Sequence, residues 1–263
     1  MTETIAAANQ KGGAGKTTTA VSLCGALVEA GHRTLLCDFD PSGAAGRWLG
    51  AERTGIEALD AITGDAPITD FVVNTAYTHL EVMPASLYLP QLQDRLAERG
   101  IEGVDAYMAL RRVTEALEAS GRWDFIVLDS PPRFDFVSIA SLLAARWIVI
   151  PVEVSAMALE DLADTFSTLA TLQDHPDYAW SGEIVGLIAQ RHNRTVLAKE
   201  FLDFLSAYDQ TVLSVVPETV RMREAPTRGP ITVYEPDGLA AEAYRQAMRL
   251  MLQRMSERKE MAA

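Results

Sequence analysis

Lys11 and Lys16 both fall in the run AsnGlnLysGlyGlyAlaGlyLysThrThr, residues 9–18, and the whole chain has four lysines. Glycines at 12, 13 and 15 let a backbone turn until its N–H groups converge. Placed between a strand and a helix, such a loop binds phosphate, because converging N–H groups and the positive end of the helix both attract anions. Opened at Gln10, the frame reads QxxxxGK[ST]: the first glycine of the usual GxxxxGK[ST] pattern is replaced, while Gly15-Lys16-Thr17 is kept. Lys16 is then the cation for the β- and γ-phosphates and the Thr17 hydroxyl a ligand for Mg²⁺. Gly12, Gly13, Ala14, Gly15 and Thr18 supply the rest of the phosphate-facing loop. A glycine-rich turn with a solvated lysine is the plain alternative, and it gives no reason for two of four lysines to fall here.

Carboxylates stand at two further strand ends. LeuLeuCysAspPheAspProSerGly, residues 35–43, carries Asp38 and Asp40, which strand alternation puts on one side. AspPheIleValLeuAspSerProPro, residues 124–132, runs four apolar residues into Asp129, the form in which an aspartate holds Mg²⁺ through water. Ligands of open α/β sheets bind at the carboxyl ends of the strands, so all three belong beside the phosphate loop.

LysGlyGlyAlaGlyLysThr resembles the deviant phosphate loop of the ParA/MinD family of P-loop ATPases. The resemblance implies ATP as ligand, Mg²⁺ as cofactor and a switch between monomer and face-to-face dimer. In that class the extra lysine, here Lys11, reaches across the dimer to the partner's nucleotide. Residues 38–42 resemble the family's AspXaaAspProGln segment, which implies that Asp40 orients the attacking water and Asp38 supports the metal shell; Ser42 stands where Gln is usual. Arg133-Phe134-Asp135 replaces the usual SerLeuGly after the two prolines. Ile150-Pro151-Val152 with Ala158-Leu159-Glu160, and ValProGluThrValArgMetArgGluAlaPro at 216–226, are also similar to family segments, with Glu218 where a basic residue is usual. The resemblance spans roughly residues 3–255 and is nearest to the short, Soj-like partition ATPases. It implies a single P-loop ATPase domain over 1–263 with no helix-turn-helix ahead of it, adenine contacts from Gln190 and Pro217, and a ParB-like partner that stimulates hydrolysis. Nonspecific DNA is an implied partner too, held by Arg194, Lys199, Arg221, Arg223 and Arg228.

The elements that must position these groups are legible as alternating patterns. Strands are expected at Thr4–Ala8, Arg33–Cys37, Leu80–Met83, Phe125–Leu128, Trp147–Val152, Ile184–Ala189 and Thr211–Val216. Most are near-continuous apolar runs, as in strands covered on both faces. Helices are expected at Thr17–Glu29, Ala106–Glu118, Leu159–Leu172, Leu197–Ala207 and Leu239–Met255, the last packing through Leu239, Ala243, Ala247, Met251 and Met255. The fold class is α/β: a doubly wound, mostly parallel sheet flanked by helices.

Composition narrows the function. Formal net charge is −13, against a general nucleic-acid binder, yet residues 221–263 carry eight Lys and Arg against six Asp and Glu, while residues 1–220 carry 15 against 30. Two isolated cysteines, Cys24 and Cys37, give no metal spacing and are in the wrong segments for an iron–sulfur reductase. No signal peptide or membrane span is visible, so the chain is expected in the cytoplasm; the family resemblance, through DNA binding, further implies association with the nucleoid. A MinD-like role at a membrane is the alternative. The ending SerGluArgLysGluMetAlaAla lacks Phe, Trp and Leu and makes a poor anchor, so a membrane is not expected as partner. A small-molecule phosphotransferase would need a substrate pocket.

Overall fold

A computed structural model describes residues 2–155, 157–192, 196–206 and 212–262. The first half of the chain runs β1 (Glu3–Ala7), α1 (Lys16–Glu29), β2 (Thr34–Asp38), α2 (Ala44–Trp48), α3 (Glu57–Ile62), β3 (Val73–Asn74), β4 (Leu80–Met83), α4 (Leu92–Ala97), α5 (Gly103–Tyr107), α6 (Ala109–Ala119) and β5 (Phe125–Asp129). The second half runs α7 (Phe136–Leu143), β6 (Trp147–Glu153), α8 (Ala158–Asp174), β7 (Glu183–His192), α9 (Val196–Ser206), β8 (Val212–Pro217), α10 (Val220–Glu224), α11 (Ile231–Tyr234) and α12 (Leu239–Ala262). Among the described residues, eight strands form one sheet in the order β3-β4-β2-β5-β1-β6-β7-β8. All pairings are parallel except β3 with β4.

The inner strands are largely apolar because each feeds two cores, its side chains alternating between faces. Ala6, Leu35, Ile126 and Ile148 pack in one layer with Leu59, Leu92, Leu110, Val137, Leu162 and Phe201 from α3, α4, α6, α7, α8 and α9. Their neighbours Ile5, Leu36, Val127 and Val149 pack in the other, with Leu23, Trp48, Ile231 and Tyr244 from α1, α2, α11 and α12. Cys24 and Cys37 are free, buried and in different layers, where burial pushes both thiols up.

Three expectations about elements need correction. The helix expected from Ala106 is two helices, parted at Met108, whose ψ of 1° lies outside the helical range. Leu239 is 78% exposed; the buried face of α12 begins at Ala240 and continues through Tyr244, Ala247, Met251 and Met255. That helix also outruns Met255, because its final turns dock on the sheet: Arg258 Nη1 donates to the Ile184 carbonyl at 2.7 Å and Lys259 pairs with Glu3. No described helix is long and apolar enough to cross a membrane.

Candidate active site

Strand register brings the site together. β1 lies between β5 and β6, and β5 lies between β1 and β2. Ala7 pairs with Asp129, and Asp129 with Asp38, so three strand ends stand abreast. The chain leaves β1 through Asn9, which is buried and ties the loop at two points. Its Oδ1 accepts the Lys11 N–H at 2.8 Å, and its Nδ2 donates to the Pro151 carbonyl of β6 at 2.8 Å. Gly13 and Gly15 take φ of 80° and 93°, the left-handed region that side chains avoid. At Gly15 an added Cβ would also sit 3.2 Å from the Gln190 side chain. Gly15 is the N-cap of α1, so the helix opens directly onto the loop.

Lys16 is the first residue of α1 and is buried. Its Nζ crosses the loop and donates to the Lys11 carbonyl at 3.1 Å. Burial lowers its pKa, while Asp129 and Asp40 act to raise it. Gly13, Gly15, Lys16, Thr17, Thr18, Asp40 and Pro132 line a cavity of about 220 Å³. A second cavity of about 510 Å³ shares Gly15 and Thr18 and is lined further by Gln190, Val216, Pro217, Glu218, Met222 and Arg223. Gln190 and Pro217 are thus brought to the far side of the loop, at the ends of β7 and β8. The Gln190 amide is fixed by two partners that the sequence did not single out: its Nε2 donates to Thr19 Oγ1 at 2.9 Å and to Tyr244 Oη at 2.8 Å. A larger cavity of about 560 Å³, beside Arg33, His79 and Trp123, lies away from these residues, and its arginines are paired with Asp124 and Glu81.

The two aspartates at the strand ends are both buried but differently served. Asp38 Oδ2 accepts the Gly46 N–H at 2.8 Å, and Oδ1 accepts the Asp40 N–H at 3.1 Å. Burial still pushes its pKa up to about 6 against those two donors. At Asp129 neither oxygen receives a well-formed hydrogen bond from a described residue. Burial raises its pKa, and the charge on Asp38 adds to that; the Thr17 hydroxyl and the Lys16 ammonium oppose it. Asp40 lies past the end of β2, half-buried, with its Oδ1 accepting the Ser42 N–H at 2.8 Å. Ser42 therefore helps to set Asp40 through its backbone.

Lys11 points elsewhere. Its Nζ lies 2.9 Å from Asp161 Oδ2 and 3.2 Å from Ser155 Oγ, with Glu153 Oε2 at 3.8 Å. These partners, on β6, the following turn and α8, were not singled out in the sequence. More than 140 residues separate them from Lys11, so only the parallel pairing of β1 with β6 brings them close. Arg133 has φ of 68°, is exposed, and donates its N–H to the Gln10 carbonyl at 3.1 Å. Asp135 is the N-cap of α7 and accepts from the Ser138 N–H at 3.1 Å.

The basic residues divide. Arg221 Nη1 lies 3.0 Å from Glu224 Oε2 and 3.0 Å from Tyr234 Oη, with Glu235 at 3.7 Å from its Nε. Arg223 pairs with Glu218, and both line the larger of the two loop-side cavities. Arg228 and Lys199 are exposed. Arg194 lies outside the described residues.

A strand-end loop with two lysines, a buried unsatisfied carboxylate and a half-buried aspartate fits polyphosphate chemistry. Comparison with known proteins agrees. A family model described as "AAA domain" matches residues 2–181. The sporulation initiation inhibitor protein Soj of Bacillus subtilis is 34% identical over 251 residues, 93% of this chain and 96% of that protein. The chromosome partitioning protein ParA of Caulobacter vibrioides is 30% identical, covering 98% of this chain and 97% of that one. The apo McdA structure from Cyanothece superposes with a TM-score of 0.82 over 96% of this chain and all of that one, at 24% identity, a likeness of fold. The match at the phosphate loop and along nearly the whole length shows that this chain is an ATPase and belongs to the Soj/ParA group of the ParA/MinD family of P-loop ATPases.

Proposed function

We propose that the chain is a partition ATPase that cycles between a monomer and an ATP-bound, face-to-face dimer, and that moves a plasmid, chromosome or other cargo along DNA. The observation that carries this reading is the division of labour between the two lysines. Lys16 occupies the phosphate loop of its own chain, while the Lys11 ammonium is held outside it by Asp161, Ser155 and Glu153. A lysine not needed at its own nucleotide is free to serve a second copy's. There it would neutralise charge developing on the phosphates in the transition state. The names of the relatives, both of them chromosome-partitioning or sporulation regulators, support the same role.

Among the described residues no cluster of three or more His, Cys, Asp or Glu is arranged to hold a metal. That fits Mg²⁺ nonetheless, because Mg²⁺ keeps most of its ligands as water and substrate phosphate. Asp129, whose buried oxygens find no good donor among the described residues, is suited to hold the hydrated ion, with the Thr17 hydroxyl as direct ligand and Asp38 behind. Bound there, Mg²⁺ would stabilise charge on the β- and γ-phosphates. Asp40, lining the phosphate cavity, holds the attacking water, and Gln190 and Pro217 bound the space for adenine.

DNA binding on this reading is sequence-independent, through Arg221, Arg223, Arg228, Lys199 and Arg194. It is weakened here by the carboxylates that pair with the first two. A ParB-like adaptor supplies the stimulus for hydrolysis, and the protein sits at the nucleoid in the cytoplasm. The test is retention of nonspecific duplex DNA by an Asp40→Ala variant with ATP-Mg²⁺, ADP-Mg²⁺ or no nucleotide, at two salt concentrations. ATP-dependent, salt-sensitive retention is expected. Absence of retention, with an ATP dimer still seen by light scattering, removes DNA from the function and leaves the dimer switch.

A further inference from the structure

The Gln190 side chain is 4% exposed and ends against the phosphate loop: a Cβ on Gly15 would stand 3.2 Å from its Cγ and 3.6 Å from its Oε1. A buried carboxamide has two N–H donors and one carbonyl acceptor to place. Here both donors are spent on the protein. Nε2 donates to Thr19 Oγ1 at 2.9 Å and to Tyr244 Oη at 2.8 Å.

Both acceptors are fixed. Thr19 lies on α1, completely buried, and its backbone N–H donates to the Gly15 carbonyl at 2.8 Å. Tyr244 lies on the face of α12 that packs on the sheet and is completely buried too. Burial raises the pKa of its phenol, against Gln190, Thr19 and Ser22 beside it, so the group stays a neutral hydroxyl. With the NH₂ end held at two points, the end that a ligand can meet is Oε1, on the Gly15 side. Gly15 and Gln190 both line the cavity of about 510 Å³ beyond the loop.

A carboxamide free to turn over reads a ligand indifferently, because its oxygen and nitrogen can exchange places. One whose NH₂ is tied down offers an acceptor alone. The amino group at position 6 of adenine supplies the matching donor. Guanine and hypoxanthine carry an oxo group there, which sets lone pair against lone pair and leaves a buried polar atom unpaired. Discrimination of that kind exceeds what shape alone gives.

We propose that Tyr244 and Thr19 are positioning residues for base selection: by holding the Gln190 carboxamide with its oxygen toward the nucleotide cavity, they make the site accept a 6-amino purine and refuse a 6-oxo purine. This rests on the reading, under Proposed function, that the base lies beside Gln190. It draws α12 into the nucleotide site, since Tyr244 stands 54 residues beyond the side chain that it orients.

The experiment is competition against a fluorescent ATP analogue on the full-length protein. ATP-Mg²⁺ and inosine triphosphate-Mg²⁺, amino against oxo at position 6, are the competitors, with inorganic triphosphate as a probe of the loop without a base. The wild type prefers ATP to inosine triphosphate by at least about tenfold. Tyr244→Phe keeps the ring and loses only the hydroxyl, and Thr19→Val keeps the shape. Each frees one N–H, lets the carboxamide turn over, and lowers the preference at least about fivefold. Affinity for inorganic triphosphate stays near wild type. Gln190→Met removes both ends of the carboxamide and weakens ATP while leaving inosine triphosphate little changed. Equal binding of the two nucleotides by the wild type overturns the proposal. So does a preference that survives both hydroxyl substitutions, or a parallel loss of ATP, inosine triphosphate and triphosphate, the mark of a merely structural role. If Gln190→Met still weakens ATP in those cases, the base seat stands and only the positioning falls. If Gln190→Met changes neither nucleotide, the base is not beside Gln190 and both readings fall.

Discussion

The phosphate loop and the segment around α10 carry the same kinds of groups, arginine or lysine beside carboxylate, on two cavities that meet at Gly15 and Thr18. They differ in what is left unpaired. At the loop, Asp129 is fully buried with no good donor on either oxygen among the described residues, and Lys16 reaches a backbone carbonyl rather than a carboxylate. Around α10, Arg221 is shared by Glu224, Tyr234 and Glu235, and Arg223 is matched by Glu218. The first region is costly without its ligand, because a buried charge without partners is unfavourable. The second is content without one. Charge content therefore does not mark a binding site; unmet electrostatic demand does.

Several substitutions would break or sharpen that contrast. The largest effect belongs to Lys16→Ala, which removes the buried cation of the loop. Nucleotide affinity, read with a fluorescent ATP analogue, falls by about 100-fold or more, equivalent to the loss of a strong charge-assisted contact. An unchanged affinity would mean that the loop backbone alone binds phosphate. Next is Asp129→Asn, which should separate stability from function. The nucleotide-free protein melts higher, while the upward shift given by ATP-Mg²⁺ shrinks. The gain is pH-dependent, with a sign fixed by burial, which raises the carboxyl pKa in the folded state. Below the unfolded-state value both forms are neutral and the variant gains nothing. As pH climbs from the unfolded-state value towards the raised folded-state value the wild type loses stability, so the variant's advantage grows, and it levels off once the folded carboxyl has ionised.

A smaller effect is expected from Glu218→Gln, which releases Arg223. Nonspecific DNA affinity of the ATP-bound protein should rise about threefold, and the salt slope should steepen by about one ion per freed arginine. No change would show that exposed pairing does not mask the arginine, as many surface ion pairs contribute little. The smallest is Asp161→Asn, which removes the nearest of the acids around Lys11 and leaves Glu153. Basal hydrolysis without a partner should rise about twofold by release of a surface-type ion pair; a fall would show that Asp161 helps to place Lys11 for catalysis.

Much of this architecture was legible in the residues. Apolar runs such as Trp147–Val152 had to be doubly covered strands, and the loop at 9–18 had to sit at a strand's carboxyl end. What escaped had physical reasons. Helices α2, α3, α10 and α11 span four to six residues, too few for a 3.6-residue period to show. Strand β3 is two residues with both side chains exposed, and so has no apolar signature. The anchoring of Lys11 by Glu153, Ser155 and Asp161, and of Gln190 by Thr19 and Tyr244, depends on pairs distant in sequence that only the sheet order brings together. Leu239 was assigned to the buried stripe by spacing alone, but it opens α12, where the chain has not yet come down onto the sheet.

The two margins of the sheet bear on how such a protein behaves when crowded. An open strand margin is a template on which another chain can polymerise. Here one margin is β3, two residues long and opposed in direction to its neighbour. The other, β8, ends at Pro217, which has no N–H to offer, and the Arg254 guanidinium from α12 reaches its Val212 carbonyl at 3.4 Å. Among the described residues, one margin is thus very short, and the other is guarded at both ends, by Arg254 at Val212 and by Pro217. A molecule whose described margins are built this way offers a crowded neighbour little strand edge on which to add, so high local density does not by itself seed fibrils.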